Sequence, residues 1–304
     1  MAFFPRGYLI GHAGDPVRRT GCTVILPPEH TIAAVDVRGG APGTRETGVF
    51  TPGNLVSEIH GLLFTGGSAF GLSAATGVMA WLKARGTGFS VGPARVPIVA
   101  AAVLFDLHVG DPDAFPDEAM GIAACEGARE GEIEMGAVGA GTGAMVGKLF
   151  GVAKAARGGV GAAVVGLPGG ETVAALAAVN AFGDVVDPES GRVLAGPNTA
   201  RGSALKSSAA LIEESLAESP LAAAHTTLVC VAATIPFDQG ALKRVAIEAH
   251  DGIARAVRPA HTVVDGDVVF ALAPGGQAPP LLTRLRVGAA AAEAAARAIV
   301  AAVG

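Results

Sequence analysis

Short apolar blocks alternate along the first half of the chain with stretches that carry one polar face. Two of these blocks are rich in β-branched residues and end at proline or glycine, which predicts strands over 21–26 and 32–37. Over 68–83 the apolar residues recur every three or four positions, which predicts a helix with one buried face after a Gly-Gly-Ser turn. An apolar run over 96–107 and a short helix over 120–129 follow.

The second half mixes the same two kinds of element. A glycine-dense stretch over 136–161 precedes short buried segments, and the polar stretch 188–219 predicts an exposed loop followed by a helix around 211–216. Further on, the pattern predicts a strand over 226–233, an amphipathic helix over 242–256, a strand over 263–272 interrupted by Asp265-Gly266-Asp267, and a C-terminal helix. The mixture predicts one α/β or α+β domain over 1–304.

Composition narrows the class of protein. Half of the residues are hydrophobic but only 5% are aromatic, and with 44 glycines this predicts closely packed helices and strands. The net charge is −5 and no Lys/Arg cluster could follow a phosphate backbone, which argues against a nucleic-acid partner. Mean hydropathy is +0.48, yet no uncharged run approaches the ~20 residues of a membrane-spanning helix. Because no signal peptide is recognised and three cysteines cannot form a closed disulfide set, a soluble, cytoplasmic protein is expected.

Common cofactor and catalytic motifs are incomplete in the sequence. Gly147-Lys148 lacks the earlier glycine and the following Ser or Thr of a P-loop, and Gly139-Ala140-Gly141 fits only half of a dinucleotide fingerprint. The histidines and cysteines lack metal-ligand spacing, so no metal is expected. No Gly-x-Ser-x-Gly sequence occurs. Close backbone packing remains the simple explanation of the glycines.

The start of one predicted strand carries candidate chemistry. Thr226 and Thr227 open this strand, and Asp265 and Asp267 lie downstream. Because residues i and i+2 of a strand face the same side, both carboxylates could point into one pocket. A hydroxyl is a weak nucleophile that needs a base, and a chain-terminal threonine can use its own α-amine. Threonine is also common in strands and Asp-Gly-Asp is often only a turn, so a structural role stays open at this point.

A family resemblance is carried by ordered motifs that cover nearly the whole chain. They are GCTVIL at 21–26, DVRGGAPGTRET at 36–47, LLFTGGSAFGLSAATGVMAWL at 62–82, VPIVAAAVLFDL at 96–107, GAGTGAMVGK at 139–148, VNAFGDVVDP at 179–188, HTTLVCVA at 225–232 and AHDGIARAVRPAHTVVDGDVVFALA at 249–273. In these motifs the sequence resembles the P1 peptidases, also called DmpA-type or S58 aminopeptidases. That family includes β-peptidyl aminopeptidases and endo-acting nylon-oligomer hydrolases.

The resemblance implies an N-terminal-nucleophile hydrolase with a four-layer αββα sandwich, the α/β fold of the DmpA and ornithine acetyltransferase type. Such an enzyme is made as one inactive precursor that cuts its own chain before a serine or threonine. In this sequence the matching cut lies between His225 and Thr226, so that 1–225 becomes the α chain and 226–304 the β chain. Thr226 is then the nucleophile at the new terminus.

The same match implies roles for four further residues. Asn180 donates a hydrogen bond to the oxyanion, and Lys148 lies beside the nucleophile and assists proton transfer or charge stabilisation. Asp265 and Asp267 anchor the network around the threonine and its amine. No metal or organic cofactor is implied. Relatives assemble as tetramers of processed units, so a homo-oligomer is expected.

Two positions depart from the family pattern. His225 stands where relatives usually carry Asn or Gly before the nucleophile, and a bulkier side chain there could slow self-cleavage without forbidding it. Phe105 stands where some relatives place a tyrosine whose hydroxyl contributes to the site, and the only tyrosine here is Tyr8. Phe105 is therefore a candidate substrate-binding residue. Either oxyanion stabilisation depends more on Asn180 and backbone amides, or the preferred substrate differs.

The sequence thus predicts a self-processing threonine hydrolase that cleaves amide bonds in a small molecule or short peptide, as an aminopeptidase or an oligoamide hydrolase. Two alternatives remain open. An acyltransferase of the ornithine acetyltransferase type would hand the acyl group to an amine instead of water. The second alternative is an uncleaved, non-catalytic binding protein of the same fold. The departures from the family pattern at His225 and Phe105 are the reason to consider it.

Overall fold

The centre of the molecule is built from β-strands. The computed structural model describes residues 4–197, 207–214 and 225–304. In chain order the strands are β1 (Leu9–Asp15), β2 (Thr20–Leu26), β3 (Thr31–Val37), β4 (Thr44–Arg45), β5 (Gly61–Thr65), β6 (Phe89–Val91), β7 (Ala94–Val96), β8 (Val99–Val103), β9 (Met145–Val146), β10 (Ala156–Arg157), β11 (Gly159–Gly166), β12 (Thr172–Asn180), β13 (Asp184–Val186), β14 (Val193–Ala195), β15 (Thr226–Ala233), β16 (Val257–Arg258) and β17 (Val268–Pro274). The α-helices are α1 (Ala74–Ala84), α2 (Glu118–Glu126), α3 (Ser208–Glu214), α4 (Gln239–Ala256) and α5 (Leu281–Ala301).

Two five-stranded sheets lie face to face. The first has the strand order β1-β2-β5-β8-β4, and the second has the order β11-β12-β15-β17-β3. Alternate side chains of a strand point to opposite faces, so each sheet offers one face to the other sheet. Leu62 of the first sheet and Leu176 of the second belong to this inner core. The rings of Phe64 and Phe270 meet across it at 6.3 Å.

Helices cover both outer faces. α1 and α2 pack on the first sheet around residues such as Val24 and Leu63, and α4 and α5 pack on the second sheet. The order of layers is therefore α, β, β, α, which confirms the sandwich implied by the family resemblance. The remaining short strands form three small sheets within the described residues, β6 with β7, β9 with β10, and β13 with β14 and β16.

Small residues set the spacing between the second sheet and its helices. A Cβ atom at Gly161 of β11 would lie 2.1 Å from the carbonyl oxygen of Ala298 in α5. One at Gly252 of α4 would lie 2.2 Å from the carbonyl oxygen of Ala292, also in α5. A side chain at Gly161 would push α5 away from the sheet, and one at Gly252 would push α4 and α5 apart, because protein interiors leave no such space. The composition, rich in Gly and Ala, predicts this close packing.

Strand pairing brings distant segments together at one end of the second sheet. β12 runs antiparallel to β15, and their last pair in register is Asn180 with Thr226. β15 runs parallel to β17, so the residues that precede these two strands lie side by side. An isolated bridge between His225 and Asp265 extends that pairing.

The hydrophobic pattern predicts several elements correctly. Confirmed within a few residues of their predicted ends are the strands over 21–26, 32–37 and 226–233, the helices over 120–129 and 242–256, and the C-terminal helix. The pattern does not predict β1, whose sequence LIGHAGD mixes glycine and polar residues, or the five-residue β5.

Two predictions need correction. The helix predicted over 68–83 begins as a 3-10 segment, Ser68–Ser73, and becomes α-helical only at Ala74. The strand predicted over 263–272 begins only at Val268, since the residues before it form a turn. The loop and helix predicted within 188–219 lie partly outside the described residues, although α3 falls close to the predicted helix.

No helix in the described part of the chain is both long and apolar enough to cross a membrane. Cys22, Cys125 and Cys230 are free thiols, and all three are buried.

Candidate active site

Thr226 lies at the buried beginning of β15, with 5% of its surface exposed. Its hydroxyl donates a hydrogen bond to the carbonyl oxygen of the preceding residue, His225. The same oxygen accepts the backbone N–H of Gly266 at 2.8 Å. A hydroxyl and a polarising N–H group therefore meet at one carbonyl, that of the peptide bond between residues 225 and 226.

This approach of two segments requires a glycine at position 266. A Cβ atom there would lie 2.7 Å from Oγ1 of Thr226 and 2.9 Å from the carbonyl oxygen of Ala41. A larger residue would push the chain away from the hydroxyl and move its N–H from the His225 carbonyl. The sequence analysis assigns no role to Gly266, because the need for it appears only once the two segments are placed together.

Lys148 projects into the same end of the sheet. Its Nζ atom lies 2.8 Å from both the backbone and the side-chain oxygen of Asn180, the cross-strand neighbour of Thr226. Burial lowers the pKa of the Lys148 side chain to about 7, and the carboxylates of Asp265 and Asp106 act in the opposite direction. Near neutral pH much of Lys148 is thus uncharged and able to accept a proton.

A tight turn delivers Lys148 to this position. Gly147, just before it, has a positive φ of 66°. A Cβ atom at Gly147 would lie 2.6 Å from the backbone of Gly196. The backbone N–H of Lys148 then donates to the carbonyl oxygen of Phe182 at 3.0 Å, which fixes the turn against the end of β12.

The side-chain amide of Asn180 is held in one orientation. Its Oδ1 accepts the backbone N–H of Met145 at 3.0 Å in addition to Lys148. Its Nδ2 donates to the carbonyl oxygen of Phe105, also at 3.0 Å. The ring of Phe105 is half-buried and lies 4.7 Å from the ring of His108. In the uncut chain Phe105 thus contacts Asn180 through its main-chain oxygen.

Asp265 and Asp267 are both buried, and each holds a different segment. Asp265 accepts the backbone N–H of Phe182 at 3.3 Å and that of Thr262 at 3.0 Å. Asp267 accepts the backbone N–H of Thr227, the residue after the candidate nucleophile, at 2.7 Å. Burial raises the pKa of Asp265, and the charge of Asp267 raises it further.

The alternation argument for these two aspartates is wrong, although both lie at the site. Both precede β17: Asp265 ends a turn that begins at Thr262 and forms an isolated bridge with His225, and Asp267 is the residue before the strand, so they do not share one face of a strand. What brings them together is the parallel pairing of β15 with β17 and the closeness of the segment at residues 38–41. The backbone N–H of Arg38 and that of Ala41 donate to the carbonyl oxygens of Asp267 and Asp265 at 3.0 and 2.8 Å.

Two histidines pack next to Asp267: His261 contacts its carboxylate, and His250 contacts His261. His261 contacts the second carboxylate oxygen of Asp267 through its backbone N–H at 3.0 Å and through Nδ1 at 2.7 Å. The ring of His250 meets that of His261 at 4.8 Å, and Nε2 of His250 lies 3.1 Å from the carbonyl oxygen of Asp36. Burial lowers the pKa of His250 to about 4, so this ring is neutral at neutral pH. These residues brace Asp267 from the side of α4.

A further buried carboxylate, Asp106, was not predicted as a site residue. It is 2% exposed and accepts the backbone N–H of Gly67 at 2.7 Å. Burial raises the pKa of Asp106, and its negative charge favours the protonated form of Lys148. The signal in the sequence is the lone aspartate that ends the apolar run VPIVAAAVLFDL.

The site therefore assembles the parts that acyl transfer needs. A hydroxyl, a lysine with a lowered pKa and an N–H group on a carbonyl oxygen lie at one buried end of a sheet. The structure brings together all five residues predicted as catalytic: Thr226, Lys148, Asn180, Asp265 and Asp267.

Comparisons with known proteins show the family to which the chain belongs. The model of peptidase family S58 matches residues 6–304. An uncharacterized aminopeptidase of Mycobacterium tuberculosis (strain ATCC 25618 / H37Rv) is 45% identical over 305 residues, which cover 93% of this chain and 85% of that protein. A 6-aminohexanoate-oligomer endohydrolase of Agromyces sp. (strain KY5R) is 32% identical over 272 residues, which cover 88% of this chain and 73% of that protein.

A solved structure extends the likeness to the fold. That of the L-aminopeptidase D-Ala-esterase/amidase from Ochrobactrum anthropi matches with a TM-score of 0.71 at 20% identity, over 97% of this chain and 83% of that one. It is described as a variant of the N-terminal-nucleophile (Ntn) hydrolase fold.

The fold is thus that of the Ntn hydrolases. The chain belongs to peptidase family S58. As a member of a peptidase family, it is a hydrolytic enzyme that cleaves amide bonds.

Proposed function

We propose that the chain cuts itself between His225 and Thr226, and that Thr226 then serves as the N-terminal nucleophile of an aminopeptidase or small-amide hydrolase. The observation that carries the proposal is the contact of the Thr226 hydroxyl with the His225 carbonyl, whose oxygen also accepts the N–H of Gly266. The products of the cut are an α chain, 1–225, and a β chain, 226–304.

Self-cleavage proceeds through an ester. Thr226 gives up its hydroxyl proton to the neutral amine of Lys148, and Oγ1 attacks the carbonyl carbon of His225. The negative charge that develops on the carbonyl oxygen is stabilised by the N–H of Gly266. The bond between that carbon and the nitrogen of Thr226 breaks, and the nitrogen takes up a proton. One water then hydrolyses the ester, which leaves the carboxylate of His225 and a Thr226 with a free hydroxyl and a free α-amine.

Turnover of a substrate repeats these steps on a separate molecule. Oγ1 attacks the substrate's amide carbonyl, with the new α-amine or Lys148 as the proton acceptor. Asn180 supplies a hydrogen bond to the oxyanion, and Asp267 fixes the strand just after the nucleophile through the N–H of Thr227. Asp265 anchors the end of β12 through Phe182. None of these steps requires a metal or an organic cofactor.

The substrate class is supported by the relatives. One is named an aminopeptidase and another a 6-aminohexanoate-oligomer endohydrolase, and both names describe hydrolysis of amide bonds. We therefore propose a small amide, a short peptide or an oligoamide as substrate. A cytoplasmic homo-oligomer of processed units, a tetramer by family resemblance, is part of the same proposal.

Intact mass spectrometry of the purified protein tests the cut. The wild type should give the two chains 1–225 and 226–304, whereas Thr226→Ala should remain one chain. Thr234→Ala, the same substitution just beyond the other end of β15, should be cut like the wild type. A wild type that stays uncut after long incubation would refute the proposal and favour a non-catalytic binding protein.

The same preparation separates hydrolysis from acyl transfer. The cut protein is given an aminoacyl amide with and without an added acceptor amine. Release of the free acid at the same rate in both reactions supports a hydrolase. Conversion mainly to the new amide would instead support an acyltransferase.

A further inference from the structure

The side chain of His225 occupies a defined place next to the nucleophile. It is 7% exposed, and the centre of its ring lies 5.0 Å from that of Phe182, with the rings at 57° to each other. Tilted ring pairs at this distance are favourable arrangements of aromatic groups. The residue before the cut is thus bound through its ring, although the family pattern favours Asn or Gly there.

The contact between His225 and Phe182 bears on substrate binding, because self-cleavage and turnover transfer an acyl group to the same atom. In self-cleavage the acyl group that is transferred to Oγ1 of Thr226 is that of His225. In turnover the acyl group of the substrate is bonded to the same oxygen atom. The uncut chain therefore shows where the side chain of an acyl group lies when its carbonyl carbon is within reach of Oγ1.

The position of Phe182, the residue against which the His225 ring packs, does not depend on His225. The backbone N–H of Phe182 donates to Asp265 at 3.3 Å, and its carbonyl oxygen accepts the N–H of Lys148 at 3.0 Å. A Cβ atom at the next residue, Gly183, would lie 2.2 Å from the carbonyl oxygen of Pro259. Phe182 is thus fixed by groups that remain after the α-chain end departs.

We infer that the space filled by the His225 ring beside Phe182 becomes the acyl-side subsite of the processed enzyme, and that it favours acyl groups with a flat aromatic or heteroaromatic ring. The inference rests on the proposed function, since the subsite is vacated only when the chain is cut. It deepens that function by naming a substrate class, ring-bearing aminoacyl amides.

Substrate selectivity of the cut enzyme is the test. The p-nitroanilides of phenylalanine, histidine and alanine are compared in the wild type and in Phe182→Leu, which keeps apolar bulk but removes the ring. We expect kcat/KM for the two ring-bearing substrates to fall about 3- to 10-fold in the variant, the size of a ring–ring contact, while the alanine substrate changes less than twofold. Phe89→Leu is the matched control, because Phe89 is a half-buried phenylalanine on the β6–β7 hairpin, which precedes β8.

A second measurement covers the case in which Phe182→Leu does not fold or none of the three anilides is turned over. Acetyl-Ala-Ala-His, acetyl-Ala-Ala-Phe and acetyl-Ala-Ala-Ala carry the free carboxylate of a cleavage product. The first two should raise the Tm of the cut wild-type enzyme, and the third should not.

The outcomes separate this inference from the proposed function. A wild type that remains uncut removes both. A cut enzyme that hydrolyses the alanine substrate at least as well as the others, with the same ratio in Phe182→Leu, overturns the subsite and leaves the function intact. Equal Tm shifts with all three peptides overturn it as well.

Discussion

Threonines stand at both ends of β15, and only one of them is placed for chemistry. Thr226 begins the strand and is 5% exposed. Thr234 follows the strand's last residue and is exposed, and its Oγ1 accepts the backbone N–H of Thr172 at 2.9 Å. A threonine hydroxyl is a weak nucleophile on its own, so the surroundings decide what each of the two can do.

The surroundings differ in charge and in space. Around Thr226 the buried side chains of Lys148, Asp265 and Asp267 come together, and a glycine at 266 leaves room for the hydroxyl. Around Thr234 the described hydrogen bonds join it to backbone groups of Thr172 and complete the strand pairing. The reactivity proposed for Thr226 therefore depends on the burial of ionisable groups, which shifts their pKa values, and not on the threonine itself.

Removing the amide of Asn180 should produce the largest effect on rate. In Asn180→Ala we expect amide hydrolysis by the processed enzyme to fall by about 10² to 10³, the cost of losing one oxyanion donor in a well-studied protease. Time courses of intact mass in freshly synthesised protein establish that the variant is cut, and p-nitroanilide release measures the rate of hydrolysis. Asn54→Ala, on an exposed loop, is the control. A loss of less than threefold would contradict the role given to Asn180.

Filling the space at Gly266 should have the next largest effect. A Cβ atom there meets Oγ1 of Thr226 at 2.7 Å, and a displacement of about 1 Å in a reacting group costs roughly 10²-fold in rate. We therefore expect Gly266→Ala to slow self-cleavage about 10²-fold, measured by the same time course. Gly166→Ala serves as the control, because Gly166 has open space around it and no positive φ. Normal cleavage in Gly266→Ala would show that the hydroxyl does not need this approach.

Sequence reasoning predicts the strand but not its surroundings. The β-branched block that begins at Thr226 is enough to predict β15, and the family motifs identify the lysine, the asparagine and both aspartates. Gly266 and Asp106 are missed because their roles depend on contacts between segments far apart in sequence, such as Asp106 with Gly67, 39 positions earlier. Strand alternation wrongly explains Asp265, since a local pattern does not distinguish a strand from the turn before it.

The pKa of Lys148 sets the expected pH dependence. Burial lowers this pKa to about 7, and the amine must be uncharged to accept the proton of Thr226. Self-cleavage should therefore rise about tenfold per pH unit below pH ~7 and level off above it. Lys148→Arg keeps a charge that does not dissociate in this range, so it should be slow at every pH. A wild-type rate that still rises steeply above pH ~9 would contradict an amine with a lowered pKa.

Substitution of Asp106 tests the pKa of Lys148 in a second way, and we expect a smaller effect with a defined direction. Its negative charge raises the pKa of Lys148, so Asp106→Asn should lower that pKa further and move the rise in rate to lower pH. The amide keeps an oxygen that can accept the N–H of Gly67, and self-cleavage at pH ~6 should become severalfold faster. Asp111→Asn, which removes a partly exposed carboxylate paired with Arg18, should leave the profile unchanged. A rise that moves to higher pH in Asp106→Asn would contradict this electrostatic link.

A substitution in the middle of the sheets should lower stability and leave the rate of self-cleavage nearly unchanged, unlike the substitutions around Thr226. Leu176 lies in the middle of β12 with no solvent exposure, in the core between the sheets. Leu176→Ala leaves a cavity there, and the free energy of unfolding should fall by about 2–5 kcal/mol. Denaturant unfolding of Leu176→Ala is compared with that of the wild type, both in the uncut Thr226→Ala background. In the cleavable background the chain should still cut at a rate within about twofold of the wild type, because no group that touches the His225 carbonyl moves. If Leu176→Ala slowed self-cleavage as much as Gly266→Ala, the geometry around Thr226 would depend on the whole sheet rather than on the few groups that surround its first residue.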